Sequence, residues 1–198
     1  MATLTRRLIL ASQSPRRREI LERLRLPFEV LASGVDENIL EAQSPSDFAA
    51  KAAEAKSRDV ASRITNSCLV LGSDTVVAIG GEALGKPVNR QQSAQMIQRL
   101  AGGWHEVFTG VCLVDNDSGA EKSAVGRTRV LFRHLTPDEI TRYVATGEGD
   151  DKAGAYGIQG IGSGLVERID GPYDNVVGLP ATLVLQLLRE MGCLLDWP

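Results

Sequence analysis

Apolar and polar positions divide the chain into short elements whose periods switch between two and about 3.6 residues. Leu8 to Ala11 is a buried-strand pattern; Ser14 follows as an N-cap residue and Pro15 occupies the first helical position, where its missing N–H costs nothing. A helix is therefore expected from Pro15 to near Leu26. Pro27 and the alternation Phe28 to Leu31 predict a second short strand. Ser44 or Ser46, with Pro45, opens an Ala-rich helix to about Ile64, its buried face marked by Phe48, Ala52, Ala55 and Val60. Cys68 to Ile79 is the most strand-like run, apolar on both faces; Ile79 to Glu82 is a tight turn with two glycines, and the returning strand ends at Gly85, Lys86 and Pro87. A helix from about Arg90 to Ala101 turns Met96, Ile97 and Leu100 inward and stops at Gly102 and Gly103.

Two longer strands, Trp104 to Val114 and Ala120 to Phe132, flank the turn cluster Asp115 to Gly119. Thr136 to Glu139 is a capping box with Pro at N1, opening a helix that stops at Gly147. Beyond a Gly-dense stretch from Gly149 to Gly164 come a strand from Leu165 to Ile169, a turn at Asp170 and Gly171, and a helix from Pro180 through Met191. Strands and helices alternate in the first half, whereas the middle is a long antiparallel pair. The expected class is α/β, a mixed and partly antiparallel sheet flanked by helices, with a cleft. Neither an internal repeat nor a Pro/Ser-rich linker interrupts the 198 residues, so one domain over 1–198 is expected.

Composition narrows the partners. The net charge is −3 and the basic residues are dispersed except near the N-terminus, which argues against polymeric nucleic acid. Cys68, Cys112 and Cys193 are widely separated and lack CxxC spacing, so they read as reduced, buried packers. No apolar run approaches the roughly 18 residues of a membrane span, and the first residues lack a signal-peptide core. A cytoplasmic protein without membrane contact is expected. His105 and His134 sit apart without ligand spacing and read as strand-surface or capping residues.

The chemistry concentrates at a few positions. The helix starting at Pro15 offers free N–H groups and a positive dipole end, with hydroxyls at Ser12 and Ser14 and charged forks at Arg16 and Arg17, a suitable cradle for polyphosphate. On spacing alone, three consecutive arginines read equally well as a solvated face. Asp36 and Glu37 lie in a loop, where they either hold a divalent metal bridging a polyphosphate or merely solvate the surface. Lys56 interrupts a buried helix face, either as a snorkelling side chain with Asp59 available as partner or as a phosphate contact. Asp74 falls inside the most apolar strand. Such a carboxylate must be neutralised, paired with Lys56 or Lys86, or metal-bound, and it is also the position of a general base. Since an isolated carboxylate there is costly, its removal is expected to leave the fold intact. The Gly-dense stretch fits neither a P-loop nor a dinucleotide fingerprint and reads as an ordered wall beside a ligand.

Ser12, Ser14, Pro15, Arg16 and Arg17 directly after a strand, then Val35 to Glu37, Lys56, Gly72 to Thr75, Lys86 with Pro87, and Asp151 to Gly160 follow one another in an order and spacing that resembles the Maf family of nucleoside triphosphate pyrophosphatases. The resemblance covers nearly the whole chain. It implies an elongated two-lobed Maf/ITPase-like fold with a central cleft, and the family habit of a homodimer. It also implies hydrolysis of a nucleoside triphosphate to monophosphate and pyrophosphate with a divalent cation, Mg²⁺ or Mn²⁺. By the same resemblance Asp74 is the proton acceptor with Lys56 and Lys86 beside it, Ser12, Ser14, Arg16, Arg17, Thr75 and Gln159 contact substrate, and Glu37 and Asp74 face the metal. Arg16, Thr75 and Gln159 match the branch acting on dTTP and UTP; the branch preferring 7-methyl-GTP carries a bulky aromatic where this chain has Arg16. Removal of unusual nucleotides or restraint of cell division is the implied purpose, and a non-catalytic regulator of septum formation is the rival from another class.

Overall fold

The computed structural model describes residues 2–36 and 40–197. Glu37 lies outside the described residues. The chain opens with β1 (Thr3–Leu4) and β2 (Arg7–Leu10), enters α1 (Pro15–Arg23) and returns as β3 (Glu29–Val30). The long helix α2 (Pro45–Ala61) leads to β4 (Cys68–Ile79), which hairpins into β5 (Glu82–Leu84). Next come α3 (Arg90–Leu100), the long pair β6 (Trp104–Asp115) and β7 (Glu121–Phe132), and α4 (Pro137–Ala145). The chain closes with β8 (Val166–Asp170), α5 (Tyr173–Val177), α6 (Ala181–Glu190) and β9 (Leu194–Asp196).

One sheet runs β3-β2-β4-β6-β7-β8, with β5 also on β4. Strand β2 is parallel to β3 and β4, and the remaining pairs are antiparallel. The mixed α/β sheet expected from the pattern is what forms. β1 and β9, too short to show a period, pair with each other near the chain's ends. Another difference lies at the end of α1: the helix stops at Arg23 because Arg25 turns left-handed (φ 55°), Leu26 N–H reaches Leu21 O and Arg25 N–H reaches Glu22 O. Leu26, near which the helix was expected to end, is the buried residue that follows the turn.

Connectivity creates the site. From β2 the chain passes through α1 to β3 on one side and, later, through α2 to β4 on the other, so the sheet has a switch point at the C-terminal end of β2. Strand β2 pairs with β4 only as far as Leu71, and β5 takes up the same edge only from Val77. Between them, among the described residues, the stretch 72–76 of β4 keeps β6 on one side and opens to a crevice on the other.

Both faces of β2 and β4 are covered, which is why they read as continuous apolar runs. Leu8, Leu10, Leu69 and Leu71 join the main core, whereas Ile9, Ala11, Cys68 and Val70 pack with Val60 under α2. The three cysteines are buried and unlinked, as expected. The buried face of α2 is rotated from the predicted one: Ala49, Ala52, Ala53, Lys56, Ser57 and Val60 are buried, while Phe48 and Ala55 are only half-buried. Two glycines explain the rotation. A Cβ at Gly110 would lie 2.0 Å from the Ala49 carbonyl, and one at Gly72 2.3 Å from the Ala53 carbonyl, so only glycine lets the helix lie this close. Ser57 fastens the contact, its hydroxyl donating to Cys112 O at 2.9 Å.

His105 departs from the strand-surface position expected of it. It is 1% exposed, its Nε2 lies 2.9 Å from the Tyr156 hydroxyl, and its ring meets Phe132 and Tyr156 edge-on. His134 is on the surface, as expected. Burial lowers the His105 pKa from 6.5 to about 4, so the folded protein holds the ring neutral where the unfolded chain would protonate it. The sign follows directly: stability from this group is full above pH 6.5 and falls as pH drops toward 4, by about 3 kcal/mol in all. Urea titrations at pH 7 and 4.5 are expected to show this loss in the wild type. In His105→Gln the loss shrinks, whatever the offset at pH 7; an unchanged pH slope would assign it to other groups.

Candidate active site

The turn from β2 into α1 is built by Ser12, whose hydroxyl accepts the Ser14 N–H at 3.2 Å and the Arg17 Nη1 at 3.0 Å. Of the first four helices, α2, α3 and α4 carry side-chain N-caps from Ser44, Asn89 and Thr136. α1 has none, and no acid in its first turn. Its positive end thus carries backbone N–H groups that no side chain caps, an arrangement that favours an anion.

This turn forms one wall of a cleft of about 1230 Å³. Every predicted site residue among the described ones lines it: Ser12, Ser14, Arg16 and Arg17 from the turn and α1, Lys56 from α2, Asp74 and Thr75 from β4, Lys86 after β5, and Gln159 from the Gly-dense stretch. Asp36 is there as well. At the centre, Lys56 Nζ donates to Asp74 Oδ1 at 2.7 Å, with each side chain only about a tenth exposed. Of the partners open to Asp74, the fold selects Lys56. Asp59 does not serve Lys56: its Oδ2 accepts Ser33 Oγ and Gly34 N–H at 2.9 Å each, and Arg63 at 2.9 Å. These bonds, with the Gly34 N–H the largest influence, hold its carboxyl below the usual range and tether the loop that carries Asp36.

Alternation along β4 sends Asp74 to the α2 face, shared with Gly72, and Ser73 and Thr75 to the other. On that second face Arg17 is a junction. Its Nε donates to Gly178 O at 2.9 Å and its Nη2 lies 3.4 Å from Thr75 Oγ1, in addition to the bond to Ser12. Ser73 also donates to Gly178 O at 3.1 Å, Thr75 and Thr109 hydroxyls are 3.0 Å apart, and Thr109 donates to Asn175 O at 2.8 Å. Asn175, fully buried, donates to Val107 O and Thr128 Oγ1. Asn175 and Gly178 are not among the site residues expected from the sequence; the signal there is a polar pair, Asp174 and Asn175, and a glycine (φ 124°) set among Val176, Val177 and Leu179.

Glu148, Asp151 and Lys152 also line the cleft and had not been singled out as site residues. Lys152 Nζ bonds Asp151 Oδ1 and Glu148 O, both at 2.6 Å, and this bond, aided by the Arg16 charge, holds the Asp151 carboxyl below its ordinary range. Among the described residues no three His, Cys, Asp or Glu side chains gather in a cluster able to hold a metal unaided.

The sequence matches the Maf-like protein family over residues 7–191, a span that contains all these cleft residues. The chain belongs to the Maf family. It is 50% identical over 186 residues to the dTTP/UTP pyrophosphatase of Moorella thermoacetica, covering 94% of this chain and 95% of that one. The dTTP/UTP pyrophosphatase of Deinococcus radiodurans is 47% identical over 186 residues, 94% of this chain and 93% of that protein. Among solved structures, the HAM1 protein of Coxiella burnetii shares the fold, with a TM-score of 0.51 at 15% identity over 94% of this chain and 100% of its own.

The Lys56 and Asp74 pair of this Maf chain bears on one expectation. Removing Asp74 takes away an anion that a buried ammonium contacts, so a cost in stability is expected where the sequence alone suggested none. Lys56→Met and Asp74→Asn are each expected to lower the urea midpoint, and the double variant to lose less than the sum, with a coupling of about 1–3 kcal/mol. Strict additivity would show that the 2.7 Å contact contributes nothing.

Proposed function

We propose that this chain hydrolyses nucleoside triphosphates between the α and β phosphates, dTTP and UTP ahead of purine nucleotides, releasing a monophosphate and pyrophosphate. One observation carries the reading: a buried carboxylate, Asp74, lines the same polar cleft as a helix end left uncapped by any side chain. The names of the two similar relatives point the same way.

In this reading the triphosphate lies along the start of α1, where the backbone N–H groups and the Ser14 hydroxyl take phosphate oxygens and Arg16 lends charge. Asp74 accepts a proton from the water that attacks phosphorus. Lys56, 2.7 Å from that carboxylate, and Lys86, which lines the same cleft, offset the charge gathering on the departing pyrophosphate. Arg17 contributes chiefly by holding the turn against Gly178 and Thr75. The donor set fits a Mg²⁺ or Mn²⁺ ion. Asp36 and Asp74 both line the cleft without a third described acid clustered with them, which suits a cation that takes one or two carboxylates and fills its other positions from phosphate and water. When bound it would neutralise part of the polyphosphate charge. Glu37, beside Asp36 in sequence, is the other proposed ligand.

Base choice falls to Gln159, which is exposed in the cleft and offers both a donor and an acceptor, as the uracil or thymine edge requires. Thr75 acts at one remove, since its hydroxyl is bonded to Thr109 and near Arg17.

Asp74→Asn is expected to lose about 10²–10⁴-fold in pyrophosphate release, the usual weight of a positioned base, and chelation is expected to silence the wild type. Near-native turnover of the variant, or full turnover after verified metal removal, would overturn these roles. Wild-type kcat/KM is expected to be higher for dTTP and UTP than for ATP, GTP or 7-methyl-GTP, with Gln159→Ala eroding the preference while its metal requirement is unchanged; 7-methyl-GTP hydrolysed as well as UTP would refute the assignment of Gln159, Arg16 and Thr75.

A further inference from the structure

Gln159 can select a base only if its backbone is held still, and the stretch around it is short of apolar anchors on one side. Before it, Tyr156 and Ile158 are buried in the core; after it, Ile161 is 62% exposed, so side-chain burial does not fix that end. What holds it is a carboxylate. Glu148 Oε2 accepts the Ile161 N–H at 2.7 Å and Oε1 accepts the Gly162 N–H at 2.8 Å. The Tyr143 hydroxyl donates to Oε1 at 3.1 Å and accepts the Gly157 N–H at 3.2 Å. Gly160 lies so close that a Cβ there would stand 2.1 Å from Oε2. A single Glu and Tyr pair thus grips the backbone on both sides of Gln159, from Gly157 to Gly162.

From this geometry we infer that Glu148, with Tyr143, is a positioning residue for base recognition, setting the place of Gln159 without contacting the base itself. Both carboxylate oxygens are engaged by N–H groups of the loop, and Oε1 also receives the Tyr143 hydroxyl. A charged acceptor of two backbone donors is stronger than neutral ones, and losing it frees the loop that carries Gln159 while Lys56 and Asp74 stay where they are. The inference rests on the hydrolase reading above for its substrate, but its geometry can be tested apart from turnover.

The test combines Glu148→Gln, Tyr143→Phe, Gln159→Ala and the double variant of Glu148→Gln with Gln159→Ala. Glu148→Gln replaces one acceptor oxygen by an NH₂ group that cannot take the Ile161 or Gly162 N–H. The expected result is a loss of about tenfold in the ratio of kcat/KM for UTP over ATP, with kcat on saturating UTP within about threefold of wild type. Tyr143→Phe shifts the ratio the same way by less. The double variant discriminates no worse than Gln159→Ala alone, because the two residues act through one contact. Independently of turnover, amide exchange at Ile161 and Gly162 quickens in Glu148→Gln while the sheet stays protected. An unchanged ratio in both single variants, additive losses in the double, or a collapse of kcat with the ratio preserved would overturn the inference. A wild type that releases no pyrophosphate from any nucleotide would overturn the hydrolase reading and the selectivity claim together, whereas an active wild type with indifferent variants removes the clamp alone.

Discussion

Two opposite charges placed almost out of water, Lys56 on α2 and Asp74 in the middle of β4, set the terms for the rest of the molecule. Desolvating either alone would cost several kcal/mol, and the opposite charge at hydrogen-bond distance offsets that cost. The helix α2 that carries Lys56 lies close against the sheet, an approach that demands glycine at positions 72 and 110, where a Cβ would run into the Ala53 and Ala49 carbonyls, and that Ser57 fastens by bonding across to β6. The small residues of this interface therefore belong to the site as much as the charges do.

The same pair lies where the sheet's connectivity leaves a gap. Had β2 extended past Leu10, or had β5 continued past Leu84, its partner to Val77, residues 72–76 would have been covered by a neighbouring strand and Asp74 would face packed backbone. Because β3 and β4 lie on opposite sides of β2 and run parallel to it, the connections beyond these strands part at the C-terminal end of β2, where a crevice forms. The first turn of α1, with no side-chain cap, comes to that cleft for the same topological reason.

Around this centre the polar network is divided by the two faces of β4. One face holds Lys56 and Asp74; the other holds Ser73, Thr75, Thr109 and Arg17, tied to the buried segment around Asn175 and Gly178. Arg17 bridges strand, turn and the end of α5. A guanidinium suits that task because its fork can serve acceptors in several directions at once. The walls of the cleft are thus fixed by hydrogen bonds to backbone carbonyls, whereas Gln159 is carried on a loop whose hold is local and polar.

Much of this was legible in the order of residues. Periodicity marked the long strands and helices because burying one face or two leaves a pattern in the chain, and Pro15, Pro45 and Thr136 marked helix starts because capping is a local matter. The cleft residues could be named because phosphate cradles and buried carboxylates use few residue types, and because their order resembled a known family. Tertiary structure alone decided the rest. The choice of Lys56 for Asp74, the diversion of Asp59 to the loop at Ser33 and Gly34, the burial of His105 against Tyr156, and the grip of Glu148 on the stretch around Gln159 all join residues by side-chain reach across elements. Periodicity records which face of an element is buried but not which partner meets it there, and partnership is settled by how closely backbones can approach, which here depended on two glycines under α2.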